Sequence, residues 1–366
     1  MTGAGLGLRA PGSGLRGSEY VMIDFTDWPT LLASNDRRGG TSAARKAAPG
    51  ELIWKAALPD AVRSSPILHD GVLYVTSRDG RLHAFDGANG RERWSFQSAG
   101  ASDSTPSISA DLVLFGSDDG AVYAIDRTSG RLRWKAEAGG PVWTSPIVRD
   151  GRVYFGSTDG TFRAVDRGTG KTAWSRQFGG QICSTAYAAD RLVYFGSSDG
   201  RVHALDAASG KDAWMHQAGD GVTASPAVAD GLVLVGSEDD FFYALDAASG
   251  GVRWKLETRL GIHSSAAVAG GRVFFGGKDG HFYALNLPDG KELWKSESMR
   301  TLTATPVAGD SIVCMQAFYG GTVAFDANTG KRLWRANLGG SLQSTPVLTP
   351  DAIYQVSYTG VVYALR

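Results

Sequence analysis

Eight tryptophans, at positions 54, 94, 134, 174, 214, 254, 294 and 334, follow one another at intervals of 40 residues without a single deviation. A period this strict leaves few ways to fold. Each copy must be one supersecondary unit, and stacked copies must bury the core that no copy can bury alone. Eight copies take up 320 of the 366 residues, so residues 47–366 form one repeat domain without an inserted unit. The copy at 101–140 shows what the unit contains. Strand-like runs at 104–109, 112–116, 121–125 and 132–136 are separated by turn signals, and their alternation excludes a helical solenoid. Glycine supplies the turns, at 49 of 366 residues against a usual share of about 7%.

Four short strands in 40 residues make one propeller blade, and propellers reach eight blades. The predicted fold is therefore all-β: an eight-bladed β-propeller of four-stranded antiparallel blades. The chain ends support this independently. Residues 341–366 provide three strands and stop before any tryptophan strand, whereas residues 51–57 provide a tryptophan strand with no strand before it. The N-terminal strand is expected to complete the last blade, which removes the open edge of an unfinished sheet. Residues 1–21 read as an extension outside the fold, and 22–46 as a polar lead-in.

Ala84-Phe85-Asp86-Gly87-Ala88-Asn89-Gly90-Arg91-Glu92-Arg93-Trp94 resembles the A-x-D-x-x-x-G-x-x-x-W tryptophan-docking motif of pyrroloquinoline quinone (PQQ) repeat propellers. Seven copies begin at Ala84, Ala124, Ala164, Ala204, Ala244, Ala284 and Ala324, with Asn286 in place of Asp in the sixth. The residues give the motif a structural meaning: Asp caps a turn, Gly takes a positive φ, and Trp buries a large face. Ser/Thr-Pro pairs, as at Ser65-Pro66 and Thr105-Pro106, fit an inner strand whose free edge needs no N–H from proline.

Because scaffold positions repeat, a column that changes from copy to copy is the place to look for specific work. Nine residues after each tryptophan stand Arg63, Asp103, Trp143, Cys183, Thr223, His263, Thr303 and Gln343, expected to encircle one mouth of the central channel. The turn between second and third strands, usually Gly-Ser-x-Asp-Gly, is expected at the same mouth. It departs from that pattern in blades seven and eight, where Phe318, Tyr319 and Tyr358 appear. Arg259 and Arg300 mark unusual loops into blades six and seven. Together these residues suggest an axial pocket suited to a planar or anionic ligand. The plainer reading is a plugged channel, with Arg63 and Asp103 paired as neighbours. Glu238-Asp239-Asp240 reads as a solvated turn, with an acidic patch at the rim as the alternative.

Charge and composition narrow the function. Lys plus Arg and Asp plus Glu each number 37, so no basic footprint points to nucleic acid. No apolar run approaches the roughly 18 to 20 residues of a membrane span, and residues 1–20 lack the apolar stretch of a secretory signal; as written, a cytoplasmic monomer is expected. The cysteines, Cys183 and Cys314, are too few for a disulfide scaffold, and the histidines lack metal-ligand spacing, so no metal is expected. The family resemblance raises quinone-dependent dehydrogenation, but those relatives imply a longer chain and adjacent cysteines that this sequence lacks, so no cofactor is expected. The favoured reading is a noncatalytic propeller that binds a small molecule, peptide or protein at the mouth. One alternative is a cofactor-independent lyase, cyclase or hydrolase using His263, with Asp103 and Tyr319 as further candidates. Another is an assembly scaffold similar to the outer-membrane protein-assembly propeller of the same repeat family.

Overall fold

Burial distinguishes the strands within each copy, and the pattern explains their residues. Second strands such as Val72–Thr76, Leu192–Gly196 and Leu232–Gly236 are buried at every position, because both faces pack against neighbouring blades. Their near-continuous Val, Leu, Tyr and Phe follow from that sandwiching. Tryptophan-bearing strands alternate instead: in Leu132–Glu137 only Trp134 and Ala136 are buried, while the other side chains face solvent. The computed structural model describes residues 51–297, 301–317, 321–336 and 344–366. The extension at 1–21 and the lead-in at 22–46 lie outside the described residues, as do Arg300, Phe318, Tyr319 and Gln343.

Each blade is a four-stranded antiparallel sheet in sequential order. Blade one runs Ile67–His69, Val72–Thr76, Arg81–Asp86 and Glu92–Gln97 from the axis outward. Its first hairpin turns at Asp70 and Gly71, both at positive φ (47° and 68°), as a tight two-residue connection requires. In the second copy the innermost strand is Ser107–Ser109, shorter than the 104–109 run read from sequence. Pro106 has no N–H to give a ladder. Ser104 turns its hydroxyl to the Thr144 carbonyl of the next blade, at 3.0 Å.

The ring closes as predicted. Leu52–Ala57 pairs with Val361–Leu365, Trp54 opposite Ala364, and Glu51 and Arg366 exchange backbone hydrogen bonds at 3.1 and 2.7 Å. Trp54 thus becomes the outer tryptophan of blade eight, and its Nε1–H donates to the Gly87 carbonyl of blade one at 2.8 Å. The same bond joins Trp134 to Arg167 (2.8 Å) and Trp174 to Ala207 (3.0 Å). Each motif turn is therefore the dock for the preceding blade's indole. The motif Asp caps it, as Asp126 does by accepting from the backbone N–H and hydroxyl of Ser129, both at 2.8 Å.

Between blades the core is aromatic. Phe162 stacks on Phe195 and Phe242 on Phe275, with ring centroids 4.2 and 4.1 Å apart. Around the axis, hydroxyls of the Ser/Thr column tie inner strands together, with the Ser65 N–H donating to Thr105 Oγ1 (3.0 Å) and the Thr345 N–H donating to Ser65 Oγ across the closure (2.9 Å). Among the described residues, no helix is long and apolar enough to cross a membrane.

Candidate axial binding site

Two columns of the repeat meet at one mouth of the ring. One is the predicted ring at the approach to each inner strand. The other is the x residue of the Ser-x-Asp-Gly turn. In blade one, Asp79 Oδ1 accepts from the Arg81 N–H at 2.9 Å and Gly80 bonds back to Ser77 at 3.1 Å, which tightens the turn. The Arg78 N–H then pairs with the Ala61 carbonyl at 2.9 Å, laying the turn beside the approach to Arg63. Asp118 repeats this with Ala101 at 2.8 Å, and Glu238 with Gly221 at 2.9 Å. The x side chain is left to reach the next blade's ring residue, 25 positions further on.

These contacts produce a continuous ladder from blade eight to blade three. Arg63 donates to the Tyr358 hydroxyl (3.0 Å) and to Asp103 (3.3 Å), with its guanidinium 5.5 Å from the Tyr358 ring centre. Asp103 also accepts from Arg78 at 2.9 Å on both oxygens. Arg78 reaches Asp118 at 3.6 Å, and Asp118 accepts from the Trp143 indole N–H at 2.9 Å. The hydroxyl of Tyr358 and the field of Asp103 hold the Arg63 pKa above its ordinary value, against the opposing effect of burial. Trp143 remains 43% exposed, although its indole is fixed in place.

A second cluster occupies blades five and six. Glu238 accepts from Lys278 at 2.6 Å with one oxygen and meets His263 Nε2 through the other. Thr223 also donates to Glu238, at 3.4 Å. Burial lowers the His263 pKa, while Glu238 works in the opposite direction. The expectation that Glu238 belongs to a solvated turn is therefore incorrect. It is the centre of this cluster, because the tight turn lays it against blade six instead of projecting it into water. Asp239 stays structural, accepting from the Gly219 N–H at 2.6 Å and from Tyr243 at 2.7 Å.

The structure thus joins Arg63, Asp103, Trp143 and Tyr358 in one network and Thr223 with His263 in the other. Cys183 is a free, partly buried thiol whose pKa burial raises. Thr303 is also partly buried, and Arg259 is exposed on the loop into blade six. The pairing of Arg63 with Asp103 is as foreseen, and Asp103 and His263 belong to separate networks. Arg78, Asp118, Glu238 and Lys278 were missed. The x column varies as much as the ring column, so the same rule of seeking unequal positions would have found them.

A PQQ-repeat family model, described as outer membrane protein assembly factor BamB, matches residues 29–110, 99–218 and 176–366. The chain belongs to this BamB family. No curated protein matches it. Among solved structures, BamB from Moraxella catarrhalis is similar over 86% of this chain and 99% of its own, at 19% identity and a TM-score of 0.74. The computationally designed Ika8 protein covers the same shares at 17% identity and 0.77. Quinohemoprotein alcohol dehydrogenase from Comamonas testosteroni is similar over 86% of this chain and 76% of its own, at 16% and 0.73. At these identities the likenesses establish the fold, which BamB, a designed protein and an alcohol dehydrogenase share.

Proposed function

We propose that this BamB-family chain is a binding propeller that presents its axial mouth to a protein partner and performs no chemistry of its own. Trp143 carries the reading. It is a large aromatic 43% exposed at the mouth, yet its indole is fixed by Asp118 at 2.9 Å, so it is ordered before any partner arrives. A fixed, amphipathic aromatic of this kind is the usual anchor of a protein interface. The charged side chains of the ring and x columns are already bonded to one another, which favours a broad contact over a small ligand needing convergent free groups. The assembly-factor description of the family supports the same reading.

The enzyme alternative rests on the His263–Glu238 pair, an imidazole oriented by a carboxylate. Against it, no hydroxyl or thiol among the described residues is bonded to His263, and Asp103 is occupied by two guanidinium groups.

Photo-crosslinking in the native host tests the proposal. A benzophenone side chain at position 143 is expected to trap one partner through a defined segment. The same group at Asp150, in the hairpin at the opposite end of an inner strand, is expected not to trap it. No product from position 143, or equal yields from both positions, would refute the reading.

A further inference from the structure

Within that binding-propeller reading, we infer that the partner segment is acidic and extended, spanning the mouth from the Arg63–Arg78 arc of blade one to Lys278 of blade six. The chain as a whole is neutral, so the argument depends on where the mouth's charges stand. Each carboxylate that pairs with a guanidinium or ammonium group there is less exposed than its partner. Asp103, at 17%, is less exposed than Arg63 at 43% and Arg78 at 30%, and Glu238, at 21%, is less exposed than Lys278 at 31%. An approaching chain therefore meets cationic groups first.

Hydrogen-bond capacity points the same way. Asp103 accepts one bond from Arg63 and, on both oxygens, from a single Arg78 nitrogen, and both oxygens of Glu238 are engaged. Arg63 uses two of its five N–H groups, toward Asp103 and Tyr358, and Lys278 one of three, toward Glu238. The unused capacity is on the donor side, so the complementary surface is rich in acceptors. Carboxylates meet that need best, because guanidinium–carboxylate bonds are charge-assisted and can be bidentate.

The spacing specifies length. Blades one and six are three blades apart around an eight-bladed ring, so a small anion reaches one arc only, whereas an extended chain bearing several carboxylates reaches both. Trp143, beside the first arc, offers an apolar contact to a side chain of the same segment. A nucleic acid would require a broad cationic track, but here a carboxylate is paired with each of Arg63, Arg78 and Lys278.

The test uses three fluorescein-labelled peptides with one central Phe: alternating Glu and Ala, and its Gln and Lys counterparts. Fluorescence anisotropy at low salt is expected to show the Glu peptide binding about tenfold or more tightly than the Gln peptide, with added salt weakening it. Arg63→Gln and Lys278→Gln are each expected to weaken it by about tenfold, since each removes charge-assisted contacts. Asp103→Asn is expected to tighten binding by releasing both guanidinium groups, a gain that misfolding cannot imitate. Equal binding of the Gln peptide, an unchanged affinity for Lys278→Gln, or equal binding of a single-stranded oligonucleotide of matched charge would overturn the inference. A crosslink from position 143 to a neutral or basic segment would overturn it while leaving the binding-propeller reading intact. Absence of any crosslink would remove both.

Discussion

Gly210→Ala tests the docking principle on which the rigidity of the mouth depends. Gly210 closes the motif turn of blade four at φ +70°, and a methyl group there would stand 2.7 Å from Cδ2 and Cε3 of the Trp174 indole. At Gly231, φ +73°, such a methyl group would meet nothing within 4 Å. Both alanines incur the left-handed backbone penalty of about 1 to 2 kcal/mol. Only Gly210→Ala also overpacks an interface, at about 1 to 3 kcal/mol, and pushes the indole away from its 3.0 Å bond to the Ala207 carbonyl, worth about 1 kcal/mol. The expected difference between the variants is therefore about 2 to 4 kcal/mol. Equilibrium urea unfolding followed by tryptophan fluorescence measures it. In a Trp174→Ala background the indole is absent, and Gly210→Ala should cost no more than Gly231→Ala. Equal costs in the parent chain, or an undiminished cost without the indole, would show that the glycine serves only its φ angle.

Three further outcomes follow from other parts of the molecule. Trp54→Ala removes the indole that docks blade eight on blade one and should destabilise the fold by about 3 to 5 kcal/mol, with hydrogen exchange rising first in Val361–Leu365. Burial lowers the His203 pKa to about 4, so the folded state favours the neutral ring: stability is complete above about pH 6.5 and falls by roughly 3 kcal/mol as the pH drops toward 4. Denaturation midpoints across that range should show the loss in the parent chain and not in His203→Phe. Glu238→Gln removes the group that raises the His263 pKa against burial, so the imidazole signal in proton NMR should titrate at lower pH than in the parent. An upward shift would contradict the arrangement of that cluster.

The architecture was legible because its determinants are covalent. The spacing of Trp54 from Trp94 and its successors sets the number of blades, and the unmatched strands at 51–57 and at the C-terminus set the closure. The ring column was legible for the same reason: Arg63 and His263 stand at equal offsets from their tryptophans. Their partners were less visible. Tyr358 drew notice by its aromatic ring, but Glu238 resembled any acidic turn until the turn's backbone bond to Gly221 laid it against the next blade. A contact that joins one copy's turn to the following copy's inner strand leaves no local pattern. It appears only when two variable columns are aligned 25 residues out of step. The innermost strand was misjudged for a related reason, since Ser104 bonds to Thr144 of a neighbouring blade and not along its own sheet.

Redundancy in the scaffold explains why so much of the variation gathers at the mouth. The ring is held by a repeated indole dock, aromatic stacking between blades and a hydroxyl-to-backbone tie at the axis, and none of these uses the side chain of a ring or x position. Substitutions in those two columns therefore alter the opening with little cost to closure, and the columns can diverge while the docking residues recur. Their divergence is also not random in depth. Net charge counts Asp103 and Arg63 as cancelling, but a partner approaching from solvent meets the guanidinium before the carboxylate, and the nearer charge dominates the interaction at contact distance. A neutral chain can in this way present a cationic opening, so the selectivity of the mouth depends on which member of each ion pair the turn geometry buries.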